Sequence, residues 1–185
     1  MREVPPDASS ALFWAAAAAI LPGSSITLTG VTLEDDQPDS AAIGVLASMG
    51  MTTEQTEHGL RCLGPDQLSS PGTIDCALMP DAAPALAVAC CWASSQTRLT
   101  GLSTLRAKES DRVSTIAGEL NRAGFDVTID GDDLIVVPSD PEATPVTLQT
   151  WDDHRIAMAM AVMGLRRGQV EIADPEVTSK SYPGF

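Results

Sequence analysis

Three long apolar segments, each preceded by an aspartate, constrain the fold of this chain more than any other feature. Residues 11–21 are all apolar, residues 80–93 are nearly so, and residues 154–165 are mostly apolar. A surface helix keeps a polar face toward water, whereas a helix that is apolar all round must be buried on every side. We therefore expect these segments to be helices enclosed by other elements of the same domain.

The elements that follow the apolar helices repeat in the same order. A β-branched strand, an amphipathic helix and a β-hairpin follow each of the first two helices, and a third copy ends after one strand. Asp7, Asp81 and Asp153 precede the three helices at intervals of about 73 residues, which is longer than the period of the common solenoid repeats. The predicted strands are 25–31, 97–102 and 169–173, the amphipathic helices are 39–49 and 111–123, and the hairpins are 52–64 and 127–137.

This pattern predicts a fold of the α/β class, in its α+β form, with sheets around the apolar helices and the amphipathic helices outside the sheets. If the buried helices lie parallel, their N-termini meet at one end of the domain. Helix N-termini carry partial positive charge and free N–H groups, so that end would suit anions. The 185 residues are enough for one domain with a sizeable core, and we expect residues 1–185 to form a single domain.

The net charge of −14 limits the classes of partner. An acidic chain repels phosphate backbones and anionic membranes, so we expect neither nucleic acid nor membrane as a partner.

The apolar run 11–21 is shorter than the roughly 20 residues that span a bilayer, and acidic residues precede it, unlike in a signal peptide. The cysteines lack Cys-x-x-Cys spacing, which predicts reduced core thiols in a cytoplasmic protein. No metal-ligand spacing, phosphate-binding glycine loop or dinucleotide motif is present, so we expect no metal and no cofactor.

Three of the eleven basic residues, Arg106, Lys108 and Arg112, fall within seven consecutive positions. Taken alone, such a cluster is typical of a solvated helix start with charge pairs three or four residues apart. One helical turn could also direct Lys108, Glu109 and Arg112 into a cleft. A second basic motif, His154-Arg155, opens the third apolar helix. Both motifs are therefore candidates for an anion site at the N-terminal end of the buried helices.

Four motifs resemble the signatures of one enzyme family. They are Leu-Arg-Ala-Lys-Glu-Ser-Asp-Arg at 105–112, Asp-Asp-His-Arg-Ile-Ala-Met-Ala at 152–159, Pro-Asp-Ala-Ala at 80–83 and Thr-Ser-Lys-Ser-Tyr-Pro-Gly-Phe at 178–185. The chain resembles, along its whole length, the C-terminal domain of the 5-enolpyruvylshikimate-3-phosphate synthases. The resemblance implies an inside-out α/β barrel of βαβαββ units around buried parallel helices, with two full units and an incomplete third. It also implies a fragment of a monomeric enzyme whose N-terminal domain is the missing partner.

The resemblance implies transfer of the enolpyruvyl group of phosphoenolpyruvate to the 5-hydroxyl of shikimate 3-phosphate, with release of phosphate, in the shikimate pathway of aromatic amino acid biosynthesis. Carboxylates can exchange the protons that move in this reaction, and Arg and Lys can bind two anionic substrates. By its place in the motifs, Asp81 would contact the shikimate hydroxyl and accept its proton, and Glu109 would be the acid at the methylene carbon. Lys108 would contact both substrates, Arg112 and Arg155 would clamp phosphoenolpyruvate, and Lys180 would lie near its phosphate.

Other interpretations stay open for these residues and for the function. Asp81 could simply be the N-cap of a buried helix, Glu109 an exposed carboxylate in a first helical turn, and His154 either a structural histidine or a proton carrier. The related UDP-N-acetylglucosamine enolpyruvyl transferase shares the fold and the phosphoenolpyruvate chemistry. A non-catalytic half-domain that binds anions is the alternative from a different class. We expect the chain on its own to show no measurable turnover.

Overall fold

The predicted alternation of helices and strands is present in the computed structural model, which describes residues 5–33 and 36–185. The α-helices are α1 (Ala8–Ile20), α2 (Ala41–Ser48), α3 (Ala83–Cys90), α4 (Arg112–Arg122) and α5 (His154–Arg167). The strands are β1 (Ser25–Thr29), β2 (Thr52–Thr56), β3 (Gly59–Leu63), β4 (Thr73–Asp75), β5 (Thr97–Thr100), β6 (Asp126–Asp130), β7 (Asp133–Val137), β8 (Val146–Leu148) and β9 (Val170–Ile172). Short 3-10 helices cover Pro38–Ser40, Pro80–Ala82, Ser103–Ala107 and Pro175–Lys180.

The predicted helices, strands and hairpins are confirmed, but several of their ends differ. The predicted helix 80–93 begins as the 3-10 turn Pro80–Ala82, and α3 ends at Cys90. Proline has no N–H to donate and is tolerated only in the first turn of a helix, so Pro84 favours a helix that starts just before it. Strands β4 and β8 were not predicted, because each has three residues and directly follows a proline-containing segment that is typical of a loop. Strand β9 is equally short, but its place in the repeat predicted it.

The strands form three sheets that follow the repeat. The first has the order β1-β3-β2 and is antiparallel, the second has the order β4-β5-β7-β6 with β4 parallel to β5, and the third is the parallel pair β8-β9. The second copy therefore has the full order β4-α3-β5-α4-β6-β7. Within the described residues the first sheet has no counterpart of β4, and the two full units that the resemblance implies stay a prediction.

The core consists of α1, α3 and α5, which contact one another, and of the inner faces of the sheets. Every residue of α3 is buried, and so are most residues of α1 and α5. Each large aliphatic side chain buried in this way contributes roughly 1.5–3 kcal/mol. No helix in the described parts of the chain is both long and apolar enough to cross a bilayer. The apolar segments are thus core helices, as their lack of a polar face predicts.

Contacts at both ends of α1 and α5 show that these two helices run in the same direction. At their N-terminal ends, the hydroxyl of Ser9 donates to Asp39 Oδ2, and Arg155 Nη1 lies 3.7 Å from the same oxygen. At their C-terminal ends, Arg166 Nη1 donates to the carbonyl oxygen of Ile20 at 2.8 Å. The turn before α3 also contacts Arg155. The starts of all three core helices therefore meet at one end of the molecule, as the repeat predicts.

Candidate active site

The guanidinium group of Arg112 is the centre of a cluster of charges at this end. Arg112 is the first residue of α4, and its side chain is only 1% exposed. Its Nε and Nη2 donate to the two carboxylate oxygens of Asp153 at 2.7 and 3.1 Å. Its Nη1 donates to Asp81 at 2.8 Å and its Nη2 to Glu109 at 2.8 Å. One buried guanidinium group thus joins three carboxylates, an arrangement that compensates the cost of removing its charge from water.

Lys108 and Glu109 do not share a helical turn with Arg112, contrary to prediction. They lie in the loop between the 3-10 helix Ser103–Ala107 and α4. The side chain of Asp111 accepts from the backbone N–H of Ser114, which makes Asp111 the N-cap and places the helix start at Arg112. Lys108 and Glu109 therefore reach the cluster from a loop, in which the backbone of Lys108 is extended.

Asp81 is not the N-cap of α3, so this simpler interpretation of its role is wrong. The N-cap is Ala82, without a side-chain hydrogen bond. The Asp81 carboxylate instead lies 3.1 Å from Lys108 Nζ and 3.4 Å from Arg155 Nη2, in addition to its bond with Arg112. Burial acts to raise the pKa of Asp81, but the charges of Arg155, Lys108 and Arg112 outweigh it and lower the pKa below its ordinary value. Asp81 is therefore a carboxylate at neutral pH.

Glu109 is bonded to two cations from different parts of the chain. Its Oε1 accepts from Lys180 Nζ at 2.8 Å and its Oε2 from Arg112. The hydrogen bond from Lys180 is the main cause that lowers the pKa of Glu109 to about 2, against the opposing effect of burial. Lys180 ends the 3-10 helix Pro175–Lys180, and its side chain is 55% exposed. This lysine is thus the cation of the cluster that solvent reaches most easily.

Arg155 links the cluster to α1. Its Nη1 donates to the backbone oxygen of Asp81 at 3.3 Å and faces Asp39, which is nearly buried and bonded to Ser9. A pocket of about 300 Å³ opens beside these groups. Its lining residues are Ser9, Gln37, Pro38, Asp39, Leu78, Pro80 and Asp81.

Asp39 and Asp153 belong to the cluster, and the sequence did not predict a site role for either. Asp153 is fully buried, caps α5 by accepting from the backbone N–H of Arg155, and also accepts from the hydroxyl of Ser110 at 3.0 Å. The repeated aspartate before each apolar helix was a signal for Asp153. No comparable signal in the sequence marked Asp39, because it lies in a predicted amphipathic helix.

His154 lies beside Glu109 without a hydrogen bond between them. Its Nδ1 is 3.9 Å from Glu109 Oε1, is buried and has no hydrogen-bond partner among the described residues. Burial and then the charge of Arg155 lower the pKa of His154 below its ordinary value. His154 is therefore neutral at neutral pH and does not add to the positive charge.

The structure brings all six predicted site residues together. Asp81, Lys108, Glu109, Arg112, Arg155 and Lys180 form one connected network of ion pairs. With Asp39 and Asp153 included, four cations face four carboxylates. An anionic ligand must therefore take cations away from carboxylates. Within the described residues no group of three or more His, Cys, Asp or Glu side chains is arranged to hold a metal ion.

Comparison with known proteins identifies the family. The family model described as EPSP synthase (3-phosphoshikimate 1-carboxyvinyltransferase) matches residues 2–185. The chain belongs to the EPSP synthase family. The 3-phosphoshikimate 1-carboxyvinyltransferases of Ruminiclostridium cellulolyticum and Syntrophobacter fumaroxidans are 36% and 38% identical to it over 98% and 97% of its length. The chain spans 42% of the length of each.

Solved structures agree with this assignment. EPSP synthase from Acinetobacter baumannii superposes on the chain with a TM-score of 0.80 at 30% identity, over 97% of this chain and 44% of that one. The enolpyruvyl transferase NikO from Streptomyces tendae has a TM-score of 0.70 at 19% identity and shares the fold. The family resemblance and the α/β fold class predicted for the chain are therefore confirmed.

Proposed function

We propose that this chain is the C-terminal half of a 3-phosphoshikimate 1-carboxyvinyltransferase. In the proposed reaction, the 5-hydroxyl of shikimate 3-phosphate takes the enolpyruvyl group of phosphoenolpyruvate and phosphate is released. The observation that carries this proposal is the single network in which Arg112 joins Asp81 and Glu109, with Lys108, Arg155 and Lys180 around them. Two carboxylates for proton transfer and several cations for two anionic substrates are what such a reaction requires.

The two carboxylates have different proposed roles. Asp81 is ionised and can accept the proton of the attacking hydroxyl, whose oxygen then bonds to the central carbon of phosphoenolpyruvate. The methylene carbon takes a proton from Glu109, which gives a tetrahedral intermediate. The ionised Glu109 then takes a proton back from the new methyl group while the C–O bond to phosphate breaks, which restores the enol ether. The released phosphate takes up the proton that Asp81 accepted. Lys108, Arg112, Arg155 and Lys180 would stabilise the charges of the phosphate and carboxylate groups.

Glu109 needs a change of partner before it can donate a proton. With a pKa lowered to about 2 by Lys180, it is ionised at neutral pH. A phosphate group that binds Lys180 would remove the main cause of this low pKa, because an opposite charge favours the ionised carboxylate. Substrate binding and proton uptake by Glu109 are therefore coupled in this proposal. The other half of the enzyme is the proposed partner of the chain, and the assembled enzyme is proposed to be a cytoplasmic monomer.

Family membership favours the shikimate enzyme over the related UDP-N-acetylglucosamine enolpyruvyl transferase. A non-catalytic anion-binding half remains the second candidate for the chain alone. The balanced charges of the cluster favour weak anion binding, because each cation already has a carboxylate partner. We expect inorganic phosphate and phosphoenolpyruvate to bind weakly, with no turnover.

Complementation in trans tests the proposal. The part of Acinetobacter baumannii EPSP synthase that this chain does not match is added as a separate polypeptide, and phosphate release is measured with both substrates present. Restored release that is lost in the Asp81→Asn and Glu109→Gln variants supports a split enzyme. Asp126→Asn, an exposed carboxylate on β6, is the matched control and should retain activity.

The outcomes separate the two candidates. Calorimetric binding of phosphate without any restored release would favour the non-catalytic half. Absence of phosphate binding even at millimolar concentration would contradict both candidates. In the assembled enzyme, Glu109→Gln should reduce the rate more than the affinity, because its proton is needed only after binding.

A further inference from the structure

Glu119 is a buried carboxylate on α4 whose hydrogen bonds reach across to the segment before α5. It is 1% exposed. Its Oε2 accepts from the backbone N–H of Gln149 at 3.0 Å, and its Oε1 accepts from the indole Nε1 of Trp151 at 3.0 Å. Arg122 Nε lies 3.3 Å from Oε2. Each oxygen of Glu119 is thus bonded to a different donor of residues 149–151.

The segment that Glu119 contacts has an unusual backbone. Trp151 and Asp152 both have a φ of +56°, and neither is glycine. Side chains rarely adopt this left-handed region, so two such residues in succession require support from their surroundings. The Trp151 side chain is also half exposed, so burial of its ring does not supply that support. Within the turn, the backbone N–H of Asp153 donates to the carbonyl oxygen of Thr150 at 3.0 Å. The hydrogen bonds that Glu119 accepts from Gln149 and Trp151 connect this turn to α4.

The next residue along the chain is Asp153, the partner of Arg112. Arg112 and Glu119 are seven positions apart on α4, which is two helical turns, and both are buried. One face of α4 therefore binds this segment twice, through Glu119 at residues 149–151 and through Arg112 at Asp153.

We propose that Glu119 is a positioning residue, which holds residues 149–152 so that Asp153 meets Arg112 and Arg155 enters the cluster. Glu119 does not touch the cluster and acts only through this segment. The effect of this segment on substrate binding rests on the proposed function, whereas the geometric role of Glu119 does not. The geometry itself can be tested without a ligand.

The test is hydrogen exchange at Arg112 Nε–H, followed by NMR in the full 185-residue chain. This proton is buried and donated to Asp153, so it should exchange slowly. Glu119→Gln leaves one acceptor oxygen for two donors and turns an N–H2 group toward one of them. We expect exchange to become about tenfold faster or more, because local opening of the segment frees the proton.

Ile116→Val is the matched control, since Ile116 is fully buried on the same helix and its truncation weakens packing without changing a hydrogen bond. Ile116→Val should lower the urea midpoint. When the two chains are compared at equal free energy of unfolding, the exchange rate of Arg112 Nε–H should be close to that of the original chain. If Glu119→Gln behaves like Ile116→Val, Glu119 has only a structural role and the inference is wrong.

Trp151→Phe keeps an aromatic side chain, although a smaller one, and removes the indole N–H donor. Alone it should speed Arg112 exchange less than Glu119→Gln does. Added to Glu119→Gln it should rescue part of the loss, because the remaining amide oxygen can then serve Gln149. If Glu119→Gln does not fold, Trp151→Phe alone decides, and unchanged Arg112 exchange contradicts the inference.

The affinity for inorganic phosphate, measured by calorimetry, is the second readout. It should fall in Glu119→Gln and stay unchanged in Ile116→Val. If the original chain binds no phosphate, the proposed function is wrong. The exchange experiment needs no ligand, so it still tests the role of Glu119.

Discussion

Two buried guanidinium groups lie at opposite ends of α5 and have different partners. Arg112 meets the N-terminal end through Asp153, and its partners are three carboxylates. Arg167 is the last residue of α5 and 8% exposed. It donates to the backbone carbonyl oxygens of Ala123, Thr144 and Gly168 at 2.6, 2.9 and 3.0 Å.

The difference between the partners separates an end whose ion pairs can be exchanged from an end whose bonds are fixed. Carboxylates titrate, carry full charge and can exchange one cation for another. Carbonyl oxygens do none of these, although those at helix ends carry partial negative charge that favours a cation. Ala123 follows α4 and Gly168 follows α5, so Arg167 fastens two helix ends. The following predictions test whether the two ends differ in this way, from the largest effect to the smallest.

Replacing Arg112 should have the largest effect. Arg112→Met should lower the free energy of unfolding by about 3–5 kcal/mol, because Asp153 would remain as a buried charge without its cation. Urea denaturation at neutral pH measures this loss. Adding Asp153→Asn to the same chain should recover part of it. A loss as small as that of an exposed ion pair would remove Arg112 from the centre of the cluster.

Arg167→Met should lower the free energy of unfolding by about 2 kcal/mol, since buried carbonyl oxygens lose their donor. The phosphate affinity of the folded chain should not change, because no partner of Arg167 lies in the cluster. Denaturation and calorimetry on the same variant measure the two effects. Weaker phosphate binding in this variant would show that the two ends of α5 are coupled, and would contradict a purely structural role of the Arg167 end.

Lys180→Gln should show the opposite of Arg167→Met, with little change in stability and weaker phosphate binding. Its ion pair with Glu109 is half exposed, so the free energy of unfolding should change by less than about 1 kcal/mol. Phosphate affinity should fall about tenfold, because a charge-assisted hydrogen bond is lost. Calorimetry measures the affinity, and Lys180→Arg, which keeps the charge, is the control. Equal affinities of Lys180→Gln and the original chain would exclude Lys180 from the anion site.

The smallest effect is a dependence on pH. The pKa of Glu109 is lowered from 4.5 to about 2 in the folded chain. Between these two values the folded state binds fewer protons than the unfolded state. The stabilisation from Glu109 is therefore complete above pH 4.5 and is lost as the pH falls toward 2. The difference in unfolding free energy between the original chain and Glu109→Gln should shrink over this range. The difference for Arg167→Met should stay constant, since carbonyl oxygens do not titrate.

Much of the fold could be predicted because its signals are local. Helices without a polar face must be buried, and the repeated order of strand, helix and hairpin gave the sheets that enclose them. Strands β4 and β8 were not predicted, because each has three residues and, unlike the equally short β9, neither follows an apolar helix in the repeat. The six residues predicted for the site were named from motifs, and the structure places them in one cluster. Asp39 and Glu119 lie in ordinary helical patterns, and their hydrogen bonds and ion pairs connect distant segments.

The three repeated aspartates show which properties the sequence determines and which ones depend on the tertiary structure. The sequence by itself determined that an aspartate precedes each apolar helix, and that these helices form the core. Asp7 caps α1 through the N–H groups of Ser9 and Ser10, Asp81 caps nothing and binds cations, and Asp153 both caps α5 and binds Arg112. A carboxylate can accept from a local N–H or from a distant cation. Which one it meets depends on the packing of segments far apart in the chain, and only the tertiary structure fixes that.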